Sequence, residues 1–414
     1  MLTTPSAWSP LRHRDFAVLW AAALVSNIGS WMHDAAAGWL MTTLTPSPAM
    51  VVLVQAATTA PVFLLALPAG TLADRFDKRR LQMLTQGLML VLAALLGAVV
   101  WSGAVTAPLL LGITFAMGCC TALLSPAWQA IMPQLVPRPE LQSAIALHAV
   151  GMNISRAIGP ALGGLIIVAV GLAWPFFVNA ISFIAVIAAL WWWQPAVPAV
   201  APGHATLAAR PNTGFAAAMR EGLALPRSHP ALRDTLWRSV LFYVFGSCYW
   251  ALLPLIARVQ LQGSARLFGV LVGCIGAGAV AGALLLPRLR ARFGLDGVVV
   301  AGTVGTALAL AGYALLRVPV LGMVASLLAG ASWIASLSSL NVAAQLAVPD
   351  WARGRGMALY TAVFYGCLAL GSVAWGQVAE RVGLTATLLC AAVGAVLALL
   401  PAQRLPLKRP VVAS

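Results

Sequence analysis

The sequence predicts an all-α membrane protein of twelve transmembrane helices in two pseudo-symmetric six-helix bundles, and three observations carry that prediction. Hydrophobic residues make up 61% of the 414-residue chain and charged residues 8%, against about a quarter charged in soluble domains. Polar surface is therefore too scarce to coat a water-soluble globule. Uncharged apolar runs long enough to cross a hydrocarbon core of about 30 Å recur from end to end. One register relates the halves: the offset between Gly70 and Gly282 also pairs Pro137 with Pro349, Ala146-Leu147 with Ala358-Leu359, Gly159 with Gly371, and Arg80 with Arg292. An internal duplication explains such a register.

The apolar runs place spans at 16–41, 49–72, 80–101, 106–132, 141–170, 173–193, 235–257, 266–287, 296–316, 319–346, 356–379 and 383–401. The widest polar gap divides the chain into an N-terminal bundle at 1–193, a linker at 194–234 and a C-terminal bundle at 235–414. An even number of crossings puts both termini on one side. Of the 25 Lys and Arg residues, twenty fall on that side, and only Arg258, Arg266, Arg317 and Arg381 fall on the other, with Arg156 inside a span. Positive charge is retained in the cytoplasm, so the termini and linker are expected there.

The net charge of +15 follows these short loops rather than one soluble basic face, which excludes a nucleic-acid partner. All six cysteines lie in apolar runs without metal-ligand or disulfide spacing. No metal or cofactor is expected. The first apolar run follows Arg12-His13-Arg14-Asp15 and is longer than a signal-peptide core, so it is expected to remain as a span. Phosphate-cradling GxxxxGK[ST], HExxH and GxSxG patterns are absent, and an enzyme reading has nothing to rest on.

The most specific motif is the run from Gly70 to Arg80, Gly-Thr-Leu-Ala-Asp-Arg-Phe-Asp-Lys-Arg-Arg. Gly70 permits close helix approach, and the carboxylate of Asp74 is placed to face the positive N-terminal end of a neighbouring helix. The run resembles the loop 2–3 signature of the major facilitator superfamily through Gly70, Leu72, Ala73, Asp74, Arg75, Lys78 and Arg79. Asp77 departs from it, standing where glycine is usual. The resemblance implies a cytoplasmic gate of Gly70, Asp74, Arg75, Lys78 and Arg79 against Arg353 at the start of the eleventh span. Gly159-Pro160-Ala-Leu-Gly163-Gly164 is similar to that superfamily's antiporter signature. Proline removes a backbone bond and glycine allows close packing, so this segment reads either as a pivot or as a packing notch.

Asp34 with His33 in the first span, and Arg156 with Asn153 in the fifth, are charged or polar groups at depth in lipid, where an ionisable side chain is costly unless paired or wetted. Together with Asn27 they are the candidates for proton coupling and substrate contact, with a fixed structural ion pair, or an Asp34 that faces water near the outer mouth, as the plain alternatives. Asn27-Ile-Gly-Ser-Trp-Met32 and Asn153-Ile-Ser-Arg-Ala-Ile-Gly-Pro160 narrow the resemblance to the bacterial branch of enterobactin exporters and transmembrane secretion effectors. That resemblance implies a multi-pass inner-membrane exporter, monomeric and driven by protons. Its cargo would be a small amphipathic organic molecule of siderophore or drug type. One departure tells against antiport: many proton-coupled drug exporters carry arginine in the fourth span, whereas 106–132 holds no charge. A proton-independent facilitator or lipid flippase, and a non-transporting sensor or scaffold, are the competing readings. Cysteines placed singly at Arg12 and Arg404 are expected to resist an impermeant thiol reagent in intact cells and to react after permeabilisation. Reaction of either in intact cells would reverse the topology.

Overall fold

Proline opens helices along this chain and glycine ends them. Proline occupies a first-turn position in α4 (Ala107–Leu135), α6 (Trp174–Trp192), α7 (Pro230–Leu255) and α9 (Pro319–Leu346), where its missing N–H has no helical partner to lose. Gly171 (φ 110°) and Gly383 (φ 83°) adopt backbone conformations that only glycine tolerates well, and they stop α5 (Leu141–Val170) and α10 (Arg353–Val382). These two glycines are also mates under the internal register, so the repeat extends to its turns. The remaining long helices are α1 (Arg14–Leu44), α2 (Pro48–Arg75), α3 (Lys78–Trp101), α8 (Ala265–Leu315) and α11 (Leu384–Leu397). The computed structural model describes residues 8–75, 77–194, 224–349 and 352–407, except for the side chains of 66–75, 125–127, 130 and 353.

Helix bounds follow the apolar runs within a few residues, with one difference. The sequence places a loop between spans at 266–287 and 296–316, yet α8 runs on through Arg288, Arg290 and Arg292, and its break is at Gly294 alone (φ 67°, ψ −175°). Its 51 residues would stretch about 76 Å if straight, more than twice a bilayer core. The break therefore yields two limbs that can each cross. Arg290 donates to the Ser339 and Ser338 hydroxyls (3.2 and 2.8 Å), which ties the charged stretch to α9. Counted as two limbs, α8 makes the described helices consistent with twelve crossings.

Both halves pack alike. In the first, α1 lies against α5 and α6, α2 against α4, and α3 against α4 and α6; in the second, α7 lies against α10 and α11, and α8 against α9 and α11. The bundles meet where α2 crosses α10 and α5 crosses α8. Outward-facing Leu84, Leu88, Val91 and Leu95 make an exposed apolar stripe along α3, as a lipid-facing surface requires.

Glycine sets the crossings. A Cβ on Gly159 would lie 2.6 Å from the Ile28 carbonyl oxygen and 2.7 Å from Trp31 Cβ of α1. Its register mate Gly371 meets Ser247 and Val244 of α7 in the same way. Across the interface, a Cβ on Gly276 of α8 would lie 2.7 Å from Ala157 Cβ on α5. These two glycines do different work, because the first crossing is internal to a bundle and the second lies between bundles. Gly159→Leu should cost about 1–3 kcal/mol of stability through overpacking. Gly276→Leu should spare the bundles and favour their separation at that crossing. Thermal melts together with distances between spin labels on α5 and α8 check the contrast; equal loss of stability in both variants would refute it.

Candidate functional site

The candidate residues of α1 fall on different faces of that helix. His33 is buried and packs edge-on against Phe176 of α6, with ring centroids 4.8 Å apart and both ring nitrogens without hydrogen-bond partners. It therefore points into its own bundle. Asn27, Trp31, Asp34 and Gly38 recur at helical spacing and share another stripe. Trp31 on that stripe meets Arg156, and Gly38 approaches Pro254 of α7, 3.3 Å from the position of a Cβ. Asp34 lies between those contacts and is accessible, so its carboxylate opens on the side turned toward the second bundle.

Arg156 stands about halfway along α5. Its guanidinium carbon lies 4.9 Å from the centre of the Trp31 ring, a cation–π contact. Its Nε is buried without a hydrogen-bond partner. The side chain also lies within electrostatic reach of Tyr365 on α10 and Tyr249 on α7, both in the second bundle. The packing of α1 on α5, Ser155 against the Leu24 carbonyl and Gly163 against Met32, sets Arg156 level with the turn before Trp31 and leaves Asp34 about two turns further along, and no ion pair joins them. Among the described residues the ion pairs are His13–Glu140, Arg233–Asp234 and Arg238–Asp296. Asn153 is half-buried and donates to the Ala149 carbonyl one turn back (2.9 Å), and Asn27 is half-buried.

The Gly159–Gly164 motif sits where three helices meet. Gly159 and Gly163 face α1, the latter placing a Cβ 3.0 Å from Met32 Cγ. Gly164 faces Arg266 at the start of α8 (3.2 Å to its Cα), and Gly269 of α8 abuts the Pro160 carbonyl. One helix thus uses two adjoining small faces, one inside its bundle and one between bundles.

At the bundle end remote from the termini, the halves are tied together. Glu380, on the last turn of α10, accepts hydrogen bonds from Ser47 Oγ (2.8 Å) and the Ala49 amide (3.1 Å) at the start of α2. A carboxylate at a helix N-terminus is favoured by the orphan amides and the helix dipole. Arg258 donates to the Thr42 carbonyl and to Thr42 Oγ1 (3.0 Å), while Trp39 stacks on Phe268 with centroids 6.0 Å apart. α2 and α10 run antiparallel, since Gly366 faces Phe63 whereas Gly376 faces Ala49 and Val52.

Of the residues assigned to the opposite gate, the side chains of Gly70, Asp74, Arg75 and Arg353 lie outside the described residues. Lys78 opens α3. Arg79 donates to the Leu190 and Trp191 carbonyls (2.6 and 2.7 Å) at the end of α6, so it finishes a helix of its own bundle. Asp77, the departure from the loop signature, caps α3 by accepting from the Arg80 amide (2.7 Å). Trp31, Tyr249, Glu380 and Arg258 were not singled out from the sequence. An aromatic four residues from Asn27 and three from Asp34 was the available signal for Trp31.

A sequence model for the transmembrane secretion effectors matches residues 5–412. The chain belongs to that family. Such proteins are transporters of major facilitator type, and related chains support the assignment. The staphyloferrin A transporter of Staphylococcus aureus is 24% identical over 363 residues, 87% of this chain and 88% of that one. The enterobactin exporter EntS of Citrobacter koseri is 28% identical over 359 residues, 84% of this chain and 82% of its own length. Among solved structures, the nucleoside transporter NupG superposes with a TM-score of 0.77 at 13% identity, covering 95% of this chain and 99% of that one. An inward-facing bacterial homologue of the transporter Spinster gives 0.72 at 15%, covering 96% and 98%. These likenesses establish the major facilitator fold.

The remote-end tie is testable in this transmembrane secretion effector. Glu380→Gln keeps the shape and removes the charge, so it should shift the population toward opening at that end by about two- to fivefold. Reactivity of a cysteine at Thr42 with an impermeant thiol reagent would report the shift. Unchanged reactivity would mean that the Glu380 charge contributes nothing to closure.

Proposed function

We propose that this protein exports a small amphipathic organic molecule, siderophore- or drug-like, across the bacterial inner membrane by alternating access coupled to protons. The observation that carries the reading is an unpaired Arg156 and an accessible Asp34 on two helices packed together, between two bundles whose remote end is closed. A charge without a partner at that depth is costly unless water or a ligand reaches it. Asp34 takes up and releases the proton, and Arg156 faces the cargo. The names of the two relatives, a staphyloferrin A transporter and an enterobactin exporter, favour siderophore-like cargo.

In this reading the termini and the 194–234 linker are cytoplasmic, and the remote end opens outward. The antiparallel pair of α2 and α10 then works as an exchange of ties. Glu380 at the end of α10 holds the start of α2 when the outer side is closed. Asp74 at the end of α2 faces the start of α10, near Arg353, when the inner side is closed. Gly159 and Gly163 keep α5 on α1, while Pro160 and Gly164 supply the surface on which α8 rocks.

A proton-independent facilitator is favoured by one observation, the lack of any charge in 106–132. Proteoliposomes under an imposed pH gradient, screened over a compound panel, separate the two readings. Coupled export requires flux that follows the gradient and an Asp34→Asn variant that loses concentrative uptake but keeps exchange down a substrate gradient. Flux indifferent to the pH gradient, or an unaltered Asp34→Asn protein, would remove the proton from the mechanism.

A further inference from the structure

Arg156 offers a more specific reading of the cargo, one that rests on the transport reading above. Its guanidinium is planar, carries five N–H donors and stays charged. The Trp31 ring holds that group by a cation–π contact, with the guanidinium carbon 4.9 Å from the ring centre, and a cation–π contact uses none of the N–H donors. The Arg156 Nε is buried without a partner, while the side chain as a whole is only half-buried. No carboxylate of the protein pairs with it among the described residues. A buried donor left without a partner is costly, and more so on a charged group.

The second bundle adds to the same place. The Tyr249 hydroxyl is buried and unpartnered, and it approaches the Trp250 indole N–H, also unpartnered, without reaching hydrogen-bond geometry. Tyr249 and Tyr365 lie within electrostatic reach of Arg156. Each bundle thus brings an unpartnered buried donor to this depth, Arg156 beside Trp31 and Tyr249 beside Trp250.

We infer that this cluster is the seat for a carboxylate on an aromatic or apolar body. The carboxylate would accept two parallel bonds from the Arg156 fork and one from Tyr249, and the body would lie along Trp31 and Tyr365. Guanidinium and carboxylate match as planar forks, which a neutral amide cannot do with its two ends of opposite polarity. Because Arg156 and Tyr249 belong to different bundles, an anion bound to both favours the arrangement that holds the bundles together at this depth.

The test is equilibrium dialysis of the purified full-length protein in detergent with 2-hydroxybenzoate and its neutral counterpart 2-hydroxybenzamide. The acid should bind about tenfold or more tightly than the amide. Arg156→Gln should erase the preference, and Arg156→Lys, which keeps charge without the fork, should keep part of it. Equal binding of the two compounds, or no binding of either at millimolar concentration, overturns the proposal. So does an Arg156→Gln protein that melts like the parent and still prefers the acid. Should that variant fail to fold, the comparison within the parent protein decides alone. Acid-selective binding with no flux of any panel compound in proteoliposomes would sink the transport reading and leave the anion seat standing. Flux without acid preference would do the reverse.

Discussion

Lipid gives a helix no reward for hiding apolar surface against another helix, so the two bundles hold together where side chains are missing. That constraint organises the molecule. On α5, Gly159 and Gly163 admit α1, and one step around the helix Pro160 and Gly164 admit α8. Ala157 presses against Gly276 from the same helix. Arg156 is one residue from Ala157 and three from Gly159, so its position follows from these contacts. A bulkier α5 would move the guanidinium off Trp31 and away from Tyr249 and Tyr365.

The same solvent makes polar groups consequential. Most hydroxyls in the spans satisfy themselves on a carbonyl three or four residues back, as Thr58, Ser155, Ser239 and Ser372 do. Buried tyrosines elsewhere in the second bundle find partners: Tyr243 meets Tyr360 at 2.7 Å and Tyr313 meets Ser326 at 2.8 Å. Tyr249 differs from those two tyrosines in having no hydroxyl partner, and Arg156 and Trp250, the neighbour of Tyr249, also hold buried donors without partners. They gather where the bundles face one another, and the remote-end ties at Glu380 and Arg258 close one side of the molecule.

Much of the fold was legible because hydropathy reads directly on span positions. Helix bounds such as Leu141–Val170 and Pro319–Leu346 coincide with the apolar runs. The tight turn at Gly294 was not legible, since arginines that read as a loop are compatible with a helix emerging from the bilayer. The site was legible in part. Depth flagged Asp34, His33 and Arg156, but depth is a coordinate along the axis and says nothing of the angle around it. His33 and Asp34 are neighbours in sequence, yet one packs on Phe176 inside its bundle and the other opens toward the second bundle.

The chain alone determined the solvent, the spans, the duplication and the residues that are expensive in lipid, because each depends on composition and order along one axis. Tertiary structure decided which of those residues meet. Arg156 finds Trp31 rather than Asp34, Arg79 completes α6, Asp77 caps α3, and Glu380 reaches across to α2. Those partnerships join positions distant in sequence, up to 333 residues apart for Ser47 and Glu380. They depend on the rotation and close approach of packed helices, which hydropathy does not encode.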